Sequence, residues 1–311
     1  MGISMAKKQN PYKAVAVGKA LALATLKRRA QAIEKRQRVL AKAKIKVEPT
    51  ARNEPTKAPV THASMGVLIA EGDSWFDYPF HDILSDLEDS YGFDVESAAH
   101  RGDTVEDMAY SDGQLDDFSR RVEKVLRTGV EPRAILLSGG GNDVAGDEFA
   151  MLLNHAMSSI AGLNQSIVTG VVDQRIRDAY VTILSAITEI CKAHLGHPVP
   201  IVIHGYDYPV PDGRGFLGGW GPFPGPWLEP GFRRKGYSQM SKRRQICVEL
   251  IDRFNTMLAG LAGISPFGHV RFLDLRNTLA TGSTYKTWWA NELHPTSKGF
   301  DAVTKKFVGV V

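Results

Sequence analysis

What most constrains this chain is an alternation that runs from residue 66 to the C-terminus. Short apolar runs of strand length, 66–70, 93–98, 134–137, 200–204 and 270–275, are separated by longer helix-like stretches such as 114–127, 171–194 and 242–261. Strands that alternate with helices predict a five-stranded parallel sheet covered on both faces. Right-handed crossovers then give a doubly wound α/β/α sandwich of three layers. In such a sheet ligands bind outside the carboxyl ends of the strands. Four small polar clusters fall at that rim: EGDSWFD (71–77), AAHRGDT (98–104), SGGGNDV (138–144) and NELHPTSKG (291–299), the last leading into a final helix.

These clusters contain the parts that acyl transfer needs: a nucleophile, a base, and donors aimed at a developing oxyanion. Ser74 follows Gly72 and Asp73 on what reads as a sharp strand-to-helix turn, whose helix N-terminus would aim amide N–H groups at the reacting oxygen. Gly102 offers a backbone N–H with no side chain in the way. Asn142 offers a side-chain NH₂ that cannot lose its proton. His294 can take the Ser74 proton and return it to the leaving group.

Taken in order, EGDSW, RGDT, GGND and ELHPT resemble the blocks of the SGNH hydrolases, the GDSL-like lipases and esterases, over residues 66 to 311. The resemblance implies a flavodoxin-like sheet and hydrolysis of ester or related acyl bonds without a metal. It places the nucleophile at Ser74, the histidine at His294, and the oxyanion donors at Ser74, Gly102 and Asn142.

One position departs from the family, which has Asp three residues before the histidine where this chain has Asn291. An amide oxygen can orient His294 through its Nδ1–H but cannot stabilise the imidazolium by charge. In a serine protease of another fold, Asp to Asn costs about 10⁴ in turnover, chiefly through the wrong tautomer. Three outcomes stay open: Asn291 orients His294, a replacement acid (Glu292 or Asp207, with Asp274 also near a strand end) does so, or the site is a weakened, non-catalytic ligand-binding relative. An acyltransferase or carbohydrate O-deacetylase on the same site is the further alternative. Asp73, Asp77, Asp103 and Asp143 read as caps and loop bonds, and His100 and His204 as strand-end histidines with structural partners.

Residues 205–232 form an insertion rich in Gly, Pro and aromatics that follows the fourth strand. It reads equally as a substrate wall and as an ordered loop packed over the sheet edge. On the first reading Trp220, Phe223 and Trp227 join Trp75 and Trp289 in lining a site for a small-molecule acyl ester. No HExxH, phosphate-binding loop or dinucleotide fingerprint is present, so no metal or cofactor is expected.

The N-terminal part has a different character. Residues 1–60 hold 15 Lys/Arg and 3 Asp/Glu, a balance of +12; the rest holds 38 − 15 = 23 basic and 34 − 3 = 31 acidic residues, a balance of −8. Residues 12–46 are rich in good helix formers, and 47–65 read as a linker. The expected organisation is therefore a basic helical extension (1–46), a linker (47–65) and a hydrolase domain (66–311). The basic segment, residues 7–46, reads either as a packed or solvated extension or as a contact for an anionic membrane surface or nucleic acid. Lys19 interrupts its apolar run and no small-residue cleavage site follows, which argues for a cytoplasmic, at most membrane-peripheral, location over secretion. Cys191 and Cys247 lie in no metal-binding or paired pattern and read as buried thiols.

Overall fold

The computed structural model describes residues 11–42, 64–111, 113–219 and 223–311. Five parallel strands make the central sheet: β1 (Val67–Glu71), β2 (Asp94–Ser97), β3 (Ala134–Leu137), β6 (Ile201–His204) and β7 (Val270–Leu273), in the order β2-β1-β3-β6-β7. The two-residue strands β4 (Leu153–Asn154) and β5 (Gly162–Leu163) pair antiparallel outside it. The core of the sheet is buried on both faces, as Leu68, Ile69 and Ala70 in β1 and Ile135 and Leu136 in β3 show. Covering both faces is what turns a strand into an unbroken apolar run.

Helices α2 (Ile83–Asp89), α3 (Val105–Tyr110), α4 (Gln114–Arg127), α5 (Gln165–Gly170), α6 (Arg177–Leu195), α7 (Glu229–Arg234), α8 (Met240–Ala262) and α9 (Ser297–Val308) fill the connections. A π-helical turn, Val171–Ile176, leads into α6, so the segment read as one helix over 171–194 is a continuous helical path with a change of pitch. Helices α3, α4, α6 and α8 pack as one connected group, and α2 packs on α9. The architecture is the expected α/β/α sandwich.

The N-terminal helix α1 (Tyr12–Lys42) lies along α6. Its buried residues are Ala14, Val15, Gly18, Ala22 and Thr25, of which Ala14, Gly18, Ala22 and Thr25 share a stripe. A Cβ at Gly18 would stand 2.3 Å from the Thr182 carbonyl oxygen, so this stripe must be small for the two helices to meet. Lys19 pairs with Glu189 at 3.5 Å, Arg28 with Asp116 at 2.9 Å, and Arg29 with Glu123. The basic helix is thus packed on the acidic body by its small-residue face. Residues 43–63, most of the expected linker, lie outside the described residues. Among the described residues no helix is long and apolar enough to cross a membrane.

Candidate active site

Ser74 sits just past β1, where the ends of β1 and β3 approach closely. A Cβ on Gly72 would lie 2.7 Å from the Ser138 Cβ, so only glycine fits there. The buried Asp73 carboxylate ties the turn together: it accepts from Ser138 Oγ at 2.8 Å, from Trp75 N at 3.0 Å, and from the Tyr206 hydroxyl. Phe76 N and Asp77 N both donate to the Asp73 carbonyl, closing a single turn around Ser74. The expected helix N-terminus at Ser74 is corrected: α2 begins only at Ile83, capped by Asp82. Pro79 accounts for the interruption, since it lacks an N–H and restricts the residue before it.

Ser74 Oγ lies 2.7 Å from His294 Nε2, across most of the length of the chain. On the far side of the ring, Nδ1 faces Asn291 Oδ1 at 3.0 Å. The orientation of that amide is set by its other partners. Asn291 Oδ1 also accepts from Leu293 N at 3.0 Å and His294 N at 2.9 Å, while Nδ2 donates to the Tyr78 hydroxyl at 3.0 Å. Two backbone N–H groups require an oxygen opposite them, so a flipped amide would set donor against donor. His294 therefore carries its proton on Nδ1, and Nε2 is left as the acceptor for the Ser74 hydroxyl.

The ring is buried, stacked on Tyr78 (centroids 4.4 Å apart, 23° between planes) and met edge-on by Trp227 at 5.4 Å. Burial with no carboxylate beside it holds the His294 pKa down at about 3, against an ordinary 6.5. The same burial pushes the Tyr78 phenol up to about 12, so it remains a neutral partner.

Ser74, Gly102, Asn142 and His294 all line one cavity. Asn142 Nδ2 uses one hydrogen on the Asp103 carbonyl, at 2.9 Å, and has a second to give. Gly102 has φ +92°, and a Cβ there would meet nothing within 4 Å. The positive φ favours glycine at this point. The other aspartates do serve as caps and loop bonds: Asp143 accepts from Val105 N at the start of α3, Asp77 from Arg101 N, and Asp103 from Gln114. His100 is exposed and pairs with Asp103, while His204 is buried with Nδ1 on the Gly205 carbonyl.

Neither replacement acid reaches His294, and both expectations are corrected. Glu292 accepts four backbone N–H bonds, from Gly213 (2.9 Å), Trp227 (2.7 Å), Leu228 (2.7 Å) and Glu229 (3.0 Å). Asp207 accepts four more, from Tyr208, Asn277, Thr278 and Leu279, at 2.6–2.8 Å. Burial pushes both carboxyls up and these donors pull them back. Asp274 is held by Arg276. Each acid has its oxygens committed to a loop or a neighbouring guanidinium.

The insertion at 205–232 is fastened to the site by Glu292 and by Arg214, which donates to the Trp289 and Ala290 carbonyls at 2.9 Å. Phe216, Phe223, Pro224 and Trp227 then form a wall of the outer cavity opposite Tyr78 and Pro79. Of the residues expected to line a substrate site, Phe223 and Trp227 do so in this outer cavity, whereas Trp75 and Trp289 are buried and line a second, inner one. Trp220 lies outside the described residues. Sequence reasoning missed Tyr78 and Phe216. Tyr78 stands one residue past the EGDSWFD block, and nothing in its spacing marks it as the partner of Asn291.

No family model and no curated protein matches the chain. Solved structures do resemble it over most of its length. One is a protein described as an SGNH hydrolase from Slackia heliotrinireducens (13% identity, 78% of this chain and 97% of that one, TM-score 0.44). A catalytic mutant of an acetylxylan esterase from Geobacillus stearothermophilus gives 16% identity over 79% and 94%, with a TM-score of 0.42. A carbohydrate esterase of family 3 from Talaromyces cellulolyticus gives 14% over 78% and 94%, with a TM-score of 0.39. At this level of superposition the likeness carries no argument about chemistry, and the functional reading rests on the geometry of the site.

Proposed function

We propose that the chain is a metal-independent serine esterase acting on small or medium acyl esters. The observation that carries this reading is the relay from Ser74 Oγ to His294 Nε2 at 2.7 Å, with His294 Nδ1 tied to a fixed amide oxygen. Ser74 Oγ attacks the ester carbonyl while His294 Nε2 takes its proton. The carbonyl oxygen becomes an oxyanion, held by the N–H groups of Ser74 and Gly102 and by Asn142 Nδ2. His294 then protonates the departing alkoxide as the ester C–O bond breaks. Water enters, gives its proton to His294, and releases the acid from Ser74 by the same steps in reverse.

Asn291 makes this workable without a carboxylate. The cost of Asp to Asn in a protease comes chiefly from the wrong histidine tautomer. Here two backbone N–H groups and Tyr78 pin the amide in the productive orientation, so only the charge contribution is lost. The test is mass spectrometry after incubation with a fluorophosphonate, on the native protein and on Ser74→Ala. One adduct, on Ser74, with ester turnover lost in the variant, is the expected result; a folded protein with no adduct and no turnover overturns the reading.

A further inference from the structure

Ser74, Asn142 and His294 line two cavities, one on each side of the reacting centre. The outer one, ≈ 310 Å³, is walled by half-buried or exposed side chains: Tyr78, Arg101, Phe216, Phe223 and Trp227. The inner one runs under the β3 loop towards α8 and is walled by the buried Phe149, Val172, Cys247, Leu250, Ile251 and Phe254. We propose, building on the esterase reading, that the substrate is divided at Ser74. A short aliphatic acyl chain occupies the inner chamber, and the alcohol part lies against the outer aromatic wall.

Three observations carry this. First, Asp207 and the Tyr206 hydroxyl, which touch the inner chamber, have partners already, and of its lining side chains Trp289 alone carries an unpartnered buried polar atom, Nε1, among the described residues. Asp207 is filled by four backbone N–H groups, and the Tyr206 hydroxyl donates to Asp73 and accepts from Gly141 N at 3.2 Å. A hydrocarbon chain entering there takes no partner from Asp207 or Tyr206 and meets a mainly apolar wall, whereas a sugar or a charged tail would find at most the Trp289 N–H to replace its lost hydrogen bonds. Second, the order of product release fits only one placement. The alcohol must leave before water can reach the acyl-enzyme, so it belongs on the exposed side, and the part retained on Ser74 belongs on the buried side. Third, the chamber is small: ≈ 60 Å³ against ≈ 310 Å³ for the outer cavity, which suits a short chain.

The test is kcat/KM over a series of p-nitrophenyl esters from acetate to dodecanoate. A rise from acetate to hexanoate, then a fall of at least about tenfold by decanoate, is expected, since one methylene in an apolar pocket is worth roughly tenfold or more. Cys247→Phe fills the chamber and lowers the hexanoate-to-acetate ratio at least about tenfold; Leu250→Ala enlarges it and moves the optimum to longer chains. Either variant suffices if the other fails to fold. Phe223→Ala, on the outer wall, leaves the ratio within about twofold. An optimum at acetate, a flat series, or a ratio that answers to Phe223 and not to Cys247 or Leu250 overturns the division. If Ser74 still takes the fluorophosphonate in that case, the esterase reading survives; if it does not, both fall.

Discussion

Asn291 and Glu292 are adjacent, both buried, and held in the same turn, yet their oxygens hold different things. The neutral side chain faces the histidine, and the carboxylate faces four backbone N–H groups of the 213–229 loop. Asp207 repeats the second pattern on residues 277–279. Around this site the carboxylates of Glu292 and Asp207 organise loops, and an amide orients the histidine. The difference teaches that a catalytic acid cannot be replaced by whichever carboxylate is nearest in sequence. A buried carboxylate that has already taken a set of N–H donors is fixed in place by them.

Substitutions can break this division of labour or sharpen it. The largest effect is expected on the catalytic side: Ser74→Ala lowers ester turnover by at least about 10⁴, or ~5.5 kcal/mol, with little change in melting temperature. On the loop side, Glu292→Ala strands four backbone N–H groups, one buried and three part-buried, and costs about 3–5 kcal/mol of stability in urea unfolding. If that variant melts like the native protein, the loop-staple role is wrong. Asn142→Ala removes an oxyanion donor and lowers kcat about 10²–10³-fold, ~2.7–4 kcal/mol, with KM changed far less; equal losses in binding and turnover would contradict that role.

The smallest effect comes from merging the two patterns at Asn291→Asp. A carboxylate beside His294 favours the imidazolium, so the acid limb of kcat/KM moves up by about one pH unit, ~1.4 kcal/mol. Turnover should rise by about tenfold at most, because the tautomer is already correct. An unmoved limb would mean that Asn291 does not bond to His294 in solution. The sign of the stability effect follows from the same shift. His294 has a folded pKa of about 3, against 6.5 unperturbed, so the unfolded chain takes its proton first as pH falls. Its contribution is full above about pH 6.5 and is lost on going down towards about pH 3.

The inner strands were legible because burial on both faces writes itself as apolar runs, while the edge strands β2 (DVES) and β7 (VRFL) carry polar residues; 134–137 matches β3 at both ends, and the other runs err by one or two residues. The Ser74, Gly102, Asn142 and His294 blocks were legible because each follows a strand or precedes the last helix. Other features depend on residues distant in sequence. Glu292 acquires its role only when the 205–232 insertion folds over it. Tyr78 matters only because Asn291 comes up against it. The small stripe of Ala14, Gly18 and Ala22 is present in the sequence at helical spacing, but the Thr182 carbonyl that demands it is supplied by α6.

The most direct test of the central claim is the rate of Ser74 phosphonylation by a fluorophosphonate, followed by intact mass between pH 8 and pH 5. A neutral His294 with a depressed pKa, oriented by Asn291, predicts a single adduct on Ser74 whose rate stays nearly flat across that range. Absence of the adduct, or a rate that falls through pH 6.5 as for an ordinary histidine, would contradict the account.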